Sequence, residues 1–332
     1  MPILTTMPVP QFVGGGRITF GERPVPTPGP GQLLIQVKAN ALCGSERGQF
    51  HGGSTVTPGH EAAGVVAGVG PETHTLVGTP GVIFLMDFCG ACRSCRLGYT
   101  NQCEAKRADM GFSHDGGYGP YELIHENIFF PITEDVSLTE ATMLLDIMGT
   151  GGHALVRIQS VRPDIEALLV AGAGPIGLGV LAMAKLLLGP DVPVFITDTI
   201  PYRLRLAETL GGIPILLGER SLPTVDAAID TSGKEAARRS AMDALDKRGV
   251  LVCVGHGQGL TLDVSPDLIA TERALLGSEY FRYDELPTNL ARLRAHRDYL
   301  TPIITHRCPV SEIQTAFETF FGGETGKVII EQ

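Results

Sequence analysis

The sequence predicts an α/β protein made of an irregular β domain and a doubly wound domain built around a parallel sheet. Two observations carry that prediction. The first half of the chain is rich in Gly and Pro and holds short β-type runs, LLIQVKA at 33–39, AAGVVAGVG at 62–70 and YELIHE at 121–126, the pattern of short strands separated by turns. From about Leu168 the texture changes to strands alternating with helical segments: LLVAG, PIGLGVLAMAKLLLG, VFITD, YRLRLAETLG, AAIDTS and then GVLVCVG. That alternation implies right-handed βαβ units and a parallel sheet. A chain of 332 residues also suits two domains at roughly 100–200 residues each. After about Phe281 the pattern is mixed, ending in a helix-like SEIQTAFETFF and a strand-like KVIIEQ. This tail is expected to return to the first domain, dividing the chain into 1–147 with 284–332, and 148–283.

Composition narrows the function. With 43% hydrophobic and 19% charged residues and no low-complexity tract, the chain can form a packed core. Its net charge of −10 and lack of a Lys/Arg cluster exclude a phosphate-backbone partner, which requires clustered cations. The N-terminal MPILTTMPVPQFVGGG has no Lys or Arg before Arg17 and is interrupted by three prolines, so it lacks the parts of a secretion signal, and a cytoplasmic protein is expected. The uncharged stretch Ala167–Ala184 contains glycines and Pro175 and reads as strand, turn and helix, each too short to span a bilayer.

Gly172, Gly174 and Gly177 form Gly-x-Gly-x-x-Gly directly after an apolar strand and at the head of a helix that begins with Pro175 and Ile176. The first glycine permits a tight turn, the second lets backbone approach a pyrophosphate, and the third lets helix pack on strand. Asp198 ends the next strand, where a carboxylate can bind ribose hydroxyls and repel a 2′-phosphate. This favours NAD over NADP, although Arg203, five residues on, could contact ribose or tolerate a phosphate. Taken alone, the glycine pattern is weak evidence, and the alternative is a tight strand-to-helix turn with a solvated Asp.

Seven cysteines occur, four of them between Cys89 and Cys103. Cys89, Cys92, Cys95 and Cys103 have the spacing Cys-x2-Cys-x2-Cys-x7-Cys. Four thiolates held this closely can close a tetrahedral zinc shell with no position left for substrate, so the lobe reads as structural. An iron–sulfur cluster or free thiols are the alternatives.

With these motifs, the sequence resembles the medium-chain zinc alcohol dehydrogenase family over nearly its whole length. Cys43-Gly44-Ser45, Gly59-His60-Glu61 and Asp146 followed by IMGTGGH resemble the segments that surround the catalytic zinc in that family. The resemblance implies a GroES-like catalytic domain and a Rossmann domain, a catalytic and a structural zinc, two per chain, and NAD as cofactor. It implies that Cys43, His60 and Asp146 bind the catalytic zinc, with Glu61 a nearby or exchanging fourth ligand. Asp at the third position resembles the branch of bacterial secondary-alcohol and threonine dehydrogenases. Ser45 matches the hydroxyl that passes the substrate proton outward. The sequence departs from the pattern at Glu46, where many members carry Asp, and at Gly48, where the relay His is missing. His51 is the candidate replacement, or an ordinary loop histidine. Asp230-Thr231-Ser232-Gly233 and Val254-Gly255 resemble the segments bordering the cofactor riboses, and Lys327 resembles a basic residue that contacts the pyrophosphate.

The activity implied is hydride transfer between NAD and a secondary alcohol or polyol, such as a sugar alcohol, a cyclitol or a threonine-like substrate. The polar, glycine-rich segment after Glu46 leans towards a hydroxylated substrate. The resemblance implies a homodimer or homotetramer without nucleic-acid or membrane partners. The competing readings are a zinc-free NAD(P)H-dependent enone or quinone reductase, and a non-catalytic cofactor-binding protein.

Overall fold

The computed structural model describes residues 5–219 and 221–332; residues 1–4, the start of the expected first domain, lie outside the described residues. The alternating segments after Leu168 form a six-stranded sheet, all parallel, in the spatial order Ile213–Leu216, Val194–Asp198, Leu168–Ala171, Val225–Asp230, Leu245–Cys253, Ala274–Gly277. The chain starts in the middle, winds outward one way and then returns to wind the other way. The direction reverses between Leu168–Ala171 and Val225–Asp230, and the crevice at that point is where such sheets bind ligands. Leu168–Ala171 is buried along its whole length, which accounts for its continuous apolar run. Among the described residues, no helix is long and apolar enough to cross a membrane.

The first half forms the β domain. Its central strand, Gln32–Ala41, pairs antiparallel with Ala62–Val69 along one edge. Its other edge is shared by Tyr121–His125 and the C-terminal strand Lys327–Glu331. The tail therefore does return to the first half of the chain. Lys327–Glu331 pairs parallel with Ile304–Pro309 on its far side, and helix Ile313–Gly322 connects the two. A two-stranded hairpin, Thr6–Gly14 with Arg17–Pro24, forms a separate sheet that packs Phe12 and Ile18 into a core with Phe50, Tyr118 and Phe317.

These pairings assemble the site. Asn40 lies opposite Ala62 in the antiparallel ladder, so Cys43, just past the end of one strand, comes beside His60 and Glu61, just before the start of the other. Leu42 N donates to Val328 O at 2.9 Å, which sets Lys327 against the same corner. Asp146 arrives from elsewhere in the chain, on a wide helical turn, Asp146–Thr150, that leads into helix Gly151–Gln159.

One buried group in the β domain contributes nothing to this assembly. Glu122 is 1% exposed, faces Ile35 across the ladder, and neither carboxyl oxygen has a hydrogen-bond partner among the described residues. Burial, then the nearby Asp115 charge, pushes its pKa well above 4.5. The folded state thus holds this proton more tightly than the unfolded chain. Its contribution to stability is fully present below the unfolded pKa near 4.5 and is lost as pH rises through the folded pKa. Glu122→Gln is expected to remove that loss, raising stability by about 1–3 kcal/mol at the alkaline end, near about pH 8, with little effect near about pH 4. Urea midpoints across this range check it.

Candidate active site

Among the described residues, two groups of side chains have the donor types and spacing to hold a metal ion: Cys89, Cys92, Cys95 and Cys103, and separately Cys43, His60, Glu61 and Asp146. Within each group the ligand atoms all lie within 4.8 Å of one another.

In the cysteine lobe, local turns aim backbone N–H groups at the sulfurs. Cys89 Sγ accepts from Cys92 N at 3.3 Å, Cys92 Sγ from Cys95 N at 3.4 Å, and Cys103 Sγ from Cys89 N at 3.2 Å. The N–H groups of Cys95 and Glu104 pull the Cys92 thiol down to about 6. Burial and then the neighbouring Cys92 push Cys95 up to about 12. The lobe thus favours some thiolates, but all four ionise together only with a cation among them, which is the chemistry of a closed zinc site.

The second group is buried: Cys43 is 8% exposed, His60 5%, Glu61 0% and Asp146 4%. His60 Nδ1 is 3.1 Å from Glu46 Oε1, and its Nε2 is 3.8 Å from Asp146 Oδ2. Glu46 is fully buried. Its Oε2 accepts from Tyr118 Oη at 2.7 Å and from Cys43 N at 3.3 Å. An Nδ1–H donated to Glu46 turns Nε2 towards Cys43 and Asp146, where a cation would displace its proton, which is how a carboxylate orients a histidine ligand. Thr150 Oγ1 donates to Asp146 Oδ1 at 3.1 Å. Burial alone would lower the His60 pKa, but its contacts with Asp146, Cys43 and Glu46 outweigh that and hold it well above 6.5. Burial and then Asp146 raise the Cys43 thiol. These acidic groups converge where the facing base is Lys327, so a divalent cation suits the charge balance. Glu61 Oε2 is buried and unpartnered among the described residues.

Lys327 corrects an expectation. It is not positioned as a free pyrophosphate contact: it is 0% exposed and its Nζ donates to Glu61 Oε1. Glu61 and then Asp146 raise its pKa against the effect of burial, so it is a charged lysine neutralising the acidic corner. Ser45 is exposed, in the turn Gly44–Glu46 that follows Cys43. His51 is also exposed, on Arg47–Gly52, with its ring 5.1 Å from Phe50 and 6.1 Å from Phe321. The polar segment after Glu46 directs much of its hydrogen bonding to the rest of the β domain. Ser54 N donates to Phe12 O, Gly15 N to His51 O, and Gln49 Nε2 to Gly111 O. Two of these three bonds are made by backbone groups, so they leave the exposed side chains of Ser45, Arg47, His51 and Thr55 outside that network.

The glycine turn sits at the sheet's reversal point. Gly172 has φ +102°, and a Cβ on Gly177 would stand 1.9 Å from Gly172 O, so both positions require glycine. At Gly174 a Cβ would meet only Arg203 Nη1, at 3.8 Å, which leaves open space at the N-terminus of helix Pro175–Leu187. Uncapped N–H groups there suit an anion. Arg203 Nε is buried without a partner among the described residues. Burial lowers the Arg203 pKa, Asp198 opposes this and Arg47 adds to it. Asp198 is 8% exposed and already engaged: Oδ1 accepts from Thr199 N and Ile200 N at 2.7 and 2.9 Å, and Oδ2 from Ala173 N at 2.8 Å. Arg203 Nη1 stands 4.0 Å from Oδ2. Asp230 is turned inward, fully buried and 2.7 Å from Arg238 Nε, while Val254 N bonds Asp230 O at the sheet edge.

Glu46, Tyr118 and Arg47 were not singled out as site residues by the sequence. The one local signal for Glu46 is its position three residues after Cys43, where its side chain reaches back to the Cys43 N–H as in a capping box.

Comparison with known proteins agrees with this layout. Residues 29–134 match the alcohol dehydrogenase GroES-like domain, and residues 175–295 match the zinc-binding dehydrogenase domain. The chain is similar to L-threonine 3-dehydrogenase of Deinococcus radiodurans, at 28% identity over 96% of this chain and 95% of that protein. It is also similar to an uncharacterized zinc-type alcohol dehydrogenase-like protein of Escherichia coli K12, at 27% identity over 98% and 99%. Among solved structures it superposes on an alcohol dehydrogenase from E. coli CFT073 complexed with NADH, with a TM-score of 0.88 and 22% identity over 99% of this chain and 100% of that one. A cobalt- and zinc-bound thermostable alcohol dehydrogenase from Pyrobaculum aerophilum gives a TM-score of 0.86 at 25% identity, over 98% and 100%. Fold and matches together define an oxidoreductase of dehydrogenase type, with a GroES-like domain and a Rossmann domain. Within that class, the chain belongs to the medium-chain zinc-type alcohol dehydrogenase family.

Proposed function

We propose that the chain is a zinc-dependent, NAD-linked dehydrogenase that oxidises a secondary alcohol or polyol, or reduces the corresponding ketone. The observation that carries this reading is the buried quartet of Cys43, His60, Glu61 and Asp146, with ligand atoms within 4.8 Å of one another. In this reading Cys43, His60 and Asp146 hold the catalytic zinc, Glu61 is the nearby or exchanging ligand, and Cys89, Cys92, Cys95 and Cys103 hold the structural zinc. Residues 1–147 with 284–332 are the catalytic domain and 148–283 the cofactor domain. A cytoplasmic homodimer or homotetramer is the assembly this reading carries.

When bound, zinc supplies Lewis-acid polarisation of the substrate oxygen and NAD supplies the hydride acceptor. The chain's own residues position and deprotonate. Glu46 keeps a proton on His60 Nδ1 and so keeps Nε2 free to ligate. Thr150 fixes one oxygen of Asp146 and leaves the other for the site. Ser45, on the exposed side of Cys43, takes the substrate hydroxyl proton and passes it to solvent, with His51 as the further acceptor. Gly172, Gly174, Gly177, Pro175 and Ile176 shape the pyrophosphate cradle, Arg203 meets its charge, and Val254 borders the nicotinamide side. Asp198 faces the adenosine ribose, where one oxygen carries a single backbone hydrogen bond and retains acceptor capacity.

Following NADH and NADPH formation over a panel of alcohols tests this reading. Turnover of at least one secondary alcohol or polyol is expected, with kcat/KM for NAD exceeding that for NADP by roughly tenfold or more, because a 2′-phosphate beside Asp198 is a like-charge approach. A preference for NADP, or zinc-independent reduction of enones alone, would contradict it. Glu46→Gln is expected to weaken zinc binding at the catalytic site by roughly 10–100-fold. Competition with a chelator reads this directly, and the cysteine lobe of the same variant is the internal control.

A further inference from the structure

The ring of His60 carries a contact that the mechanism above leaves unused. The phenyl ring of Phe112 lies 5.0 Å from the imidazole, centroid to centroid, at 41°. His60 is 5% exposed and Phe112 is 37% exposed, so the phenyl ring packs on a buried member of the quartet while part of it is reached by solvent. Its turn is pinned. Phe112 N donates to Asp109 O at 3.1 Å, Gly111 N to His114 O at 2.9 Å, and Gln49 Nε2 to Gly111 O at 2.8 Å. Gly111 has φ +77°, and a Cβ there would stand 2.6 Å from Gly59 O. The turn is therefore seated on the residue that precedes His60, and the ring's position is tied to the ligand beside it. An aromatic ring packed on His60 and partly open to solvent presents apolar surface and a π face, and it has no hydrogen-bond donor to offer a substrate hydroxyl.

We infer that Phe112 is a specificity-determining wall of the substrate site, packing against an apolar substituent on the carbinol carbon, so that alkyl or cycloalkyl secondary alcohols are preferred to polyols. This inference rests on the dehydrogenase reading of the same site and adds the substrate class to it.

The test uses zinc-loaded full-length enzyme, wild type, Phe112→Leu and Phe112→Ala, with cyclohexanol and sorbitol as the paired substrates. Wild type is expected to favour cyclohexanol. Phe112→Ala should raise KM for cyclohexanol by roughly tenfold, with a smaller change in kcat and little change for sorbitol, and Phe112→Leu should fall between. A wild type that prefers sorbitol, an equal shift for both substrates, or no shift overturns the inference. Calorimetric binding of cyclohexanol to the enzyme–NADH complex separates this from the parent reading. If no alcohol is turned over, the dehydrogenase reading fails. The wall is still supported if binding weakens by roughly tenfold in Phe112→Ala, and is overturned if binding is absent in wild type or unchanged in the variant.

Discussion

Cys43→Ala is expected to abolish turnover while leaving NADH binding intact. Cys43 supplies one donor of the buried quartet, and Lewis-acid polarisation contributes several kcal/mol to the barrier. At about 1.4 kcal/mol per factor of ten, activity should fall by roughly a thousandfold or more. The glycine turn and Asp198 belong to the other sheet, so nucleotide binding should stay within a factor of about two, on the rule that distant sites act independently. The chain has no tryptophan, so emission from bound NADH itself is the appropriate binding signal. His60→Ala should behave in the same way.

Lys327→Met is expected to cost about 3–5 kcal/mol of stability, because removing one partner of a buried ion pair leaves the other charge uncompensated. Both side chains are 0% exposed, so solvent cannot take over the role of the lysine. The melting temperature should fall by roughly 5 °C or more, and adding Glu61→Gln to the same chain should recover most of it. KM for NAD should hardly move. A lysine serving chiefly at the pyrophosphate would give the opposite pattern, a weakened KM for NAD at unchanged melting temperature.

Local features were legible in the sequence and long-range ones were not. The glycine turn, the acidic strand end and the four-cysteine lobe each lie within a short stretch whose spacing carries its own physical meaning, and the change to strand–helix alternation marks the parallel sheet. Cys43, His60 and Asp146 are brought together by strand register and by a helical turn from another part of the chain. No spacing rule connects them, and they were reached through family resemblance. Lys327 was given a pyrophosphate contact by family resemblance, but what it does is set by burial. Its strand lies antiparallel to Gln32–Ala41, and that register delivers its Nζ to Glu61. The substrate lean drawn from the polar segment stays an expectation for a related reason: composition does not say which hydrogen bonds a loop has already made. Glu46 read as a departure from a pattern, and only the fold shows its carboxylate shared among His60, Tyr118 and the Cys43 backbone.

In the proposed reading the two donor groups are separate metal sites and the buried one is the site of chemistry. The decisive experiment is zinc content per chain, by elemental analysis on wild type and on Cys43→Ala, alongside alcohol oxidation. Two zinc ions falling to one, one for each donor group, with activity lost and the cysteine lobe still loaded, are expected. One zinc in both proteins, or a Cys43→Ala enzyme that keeps full activity, would contradict it.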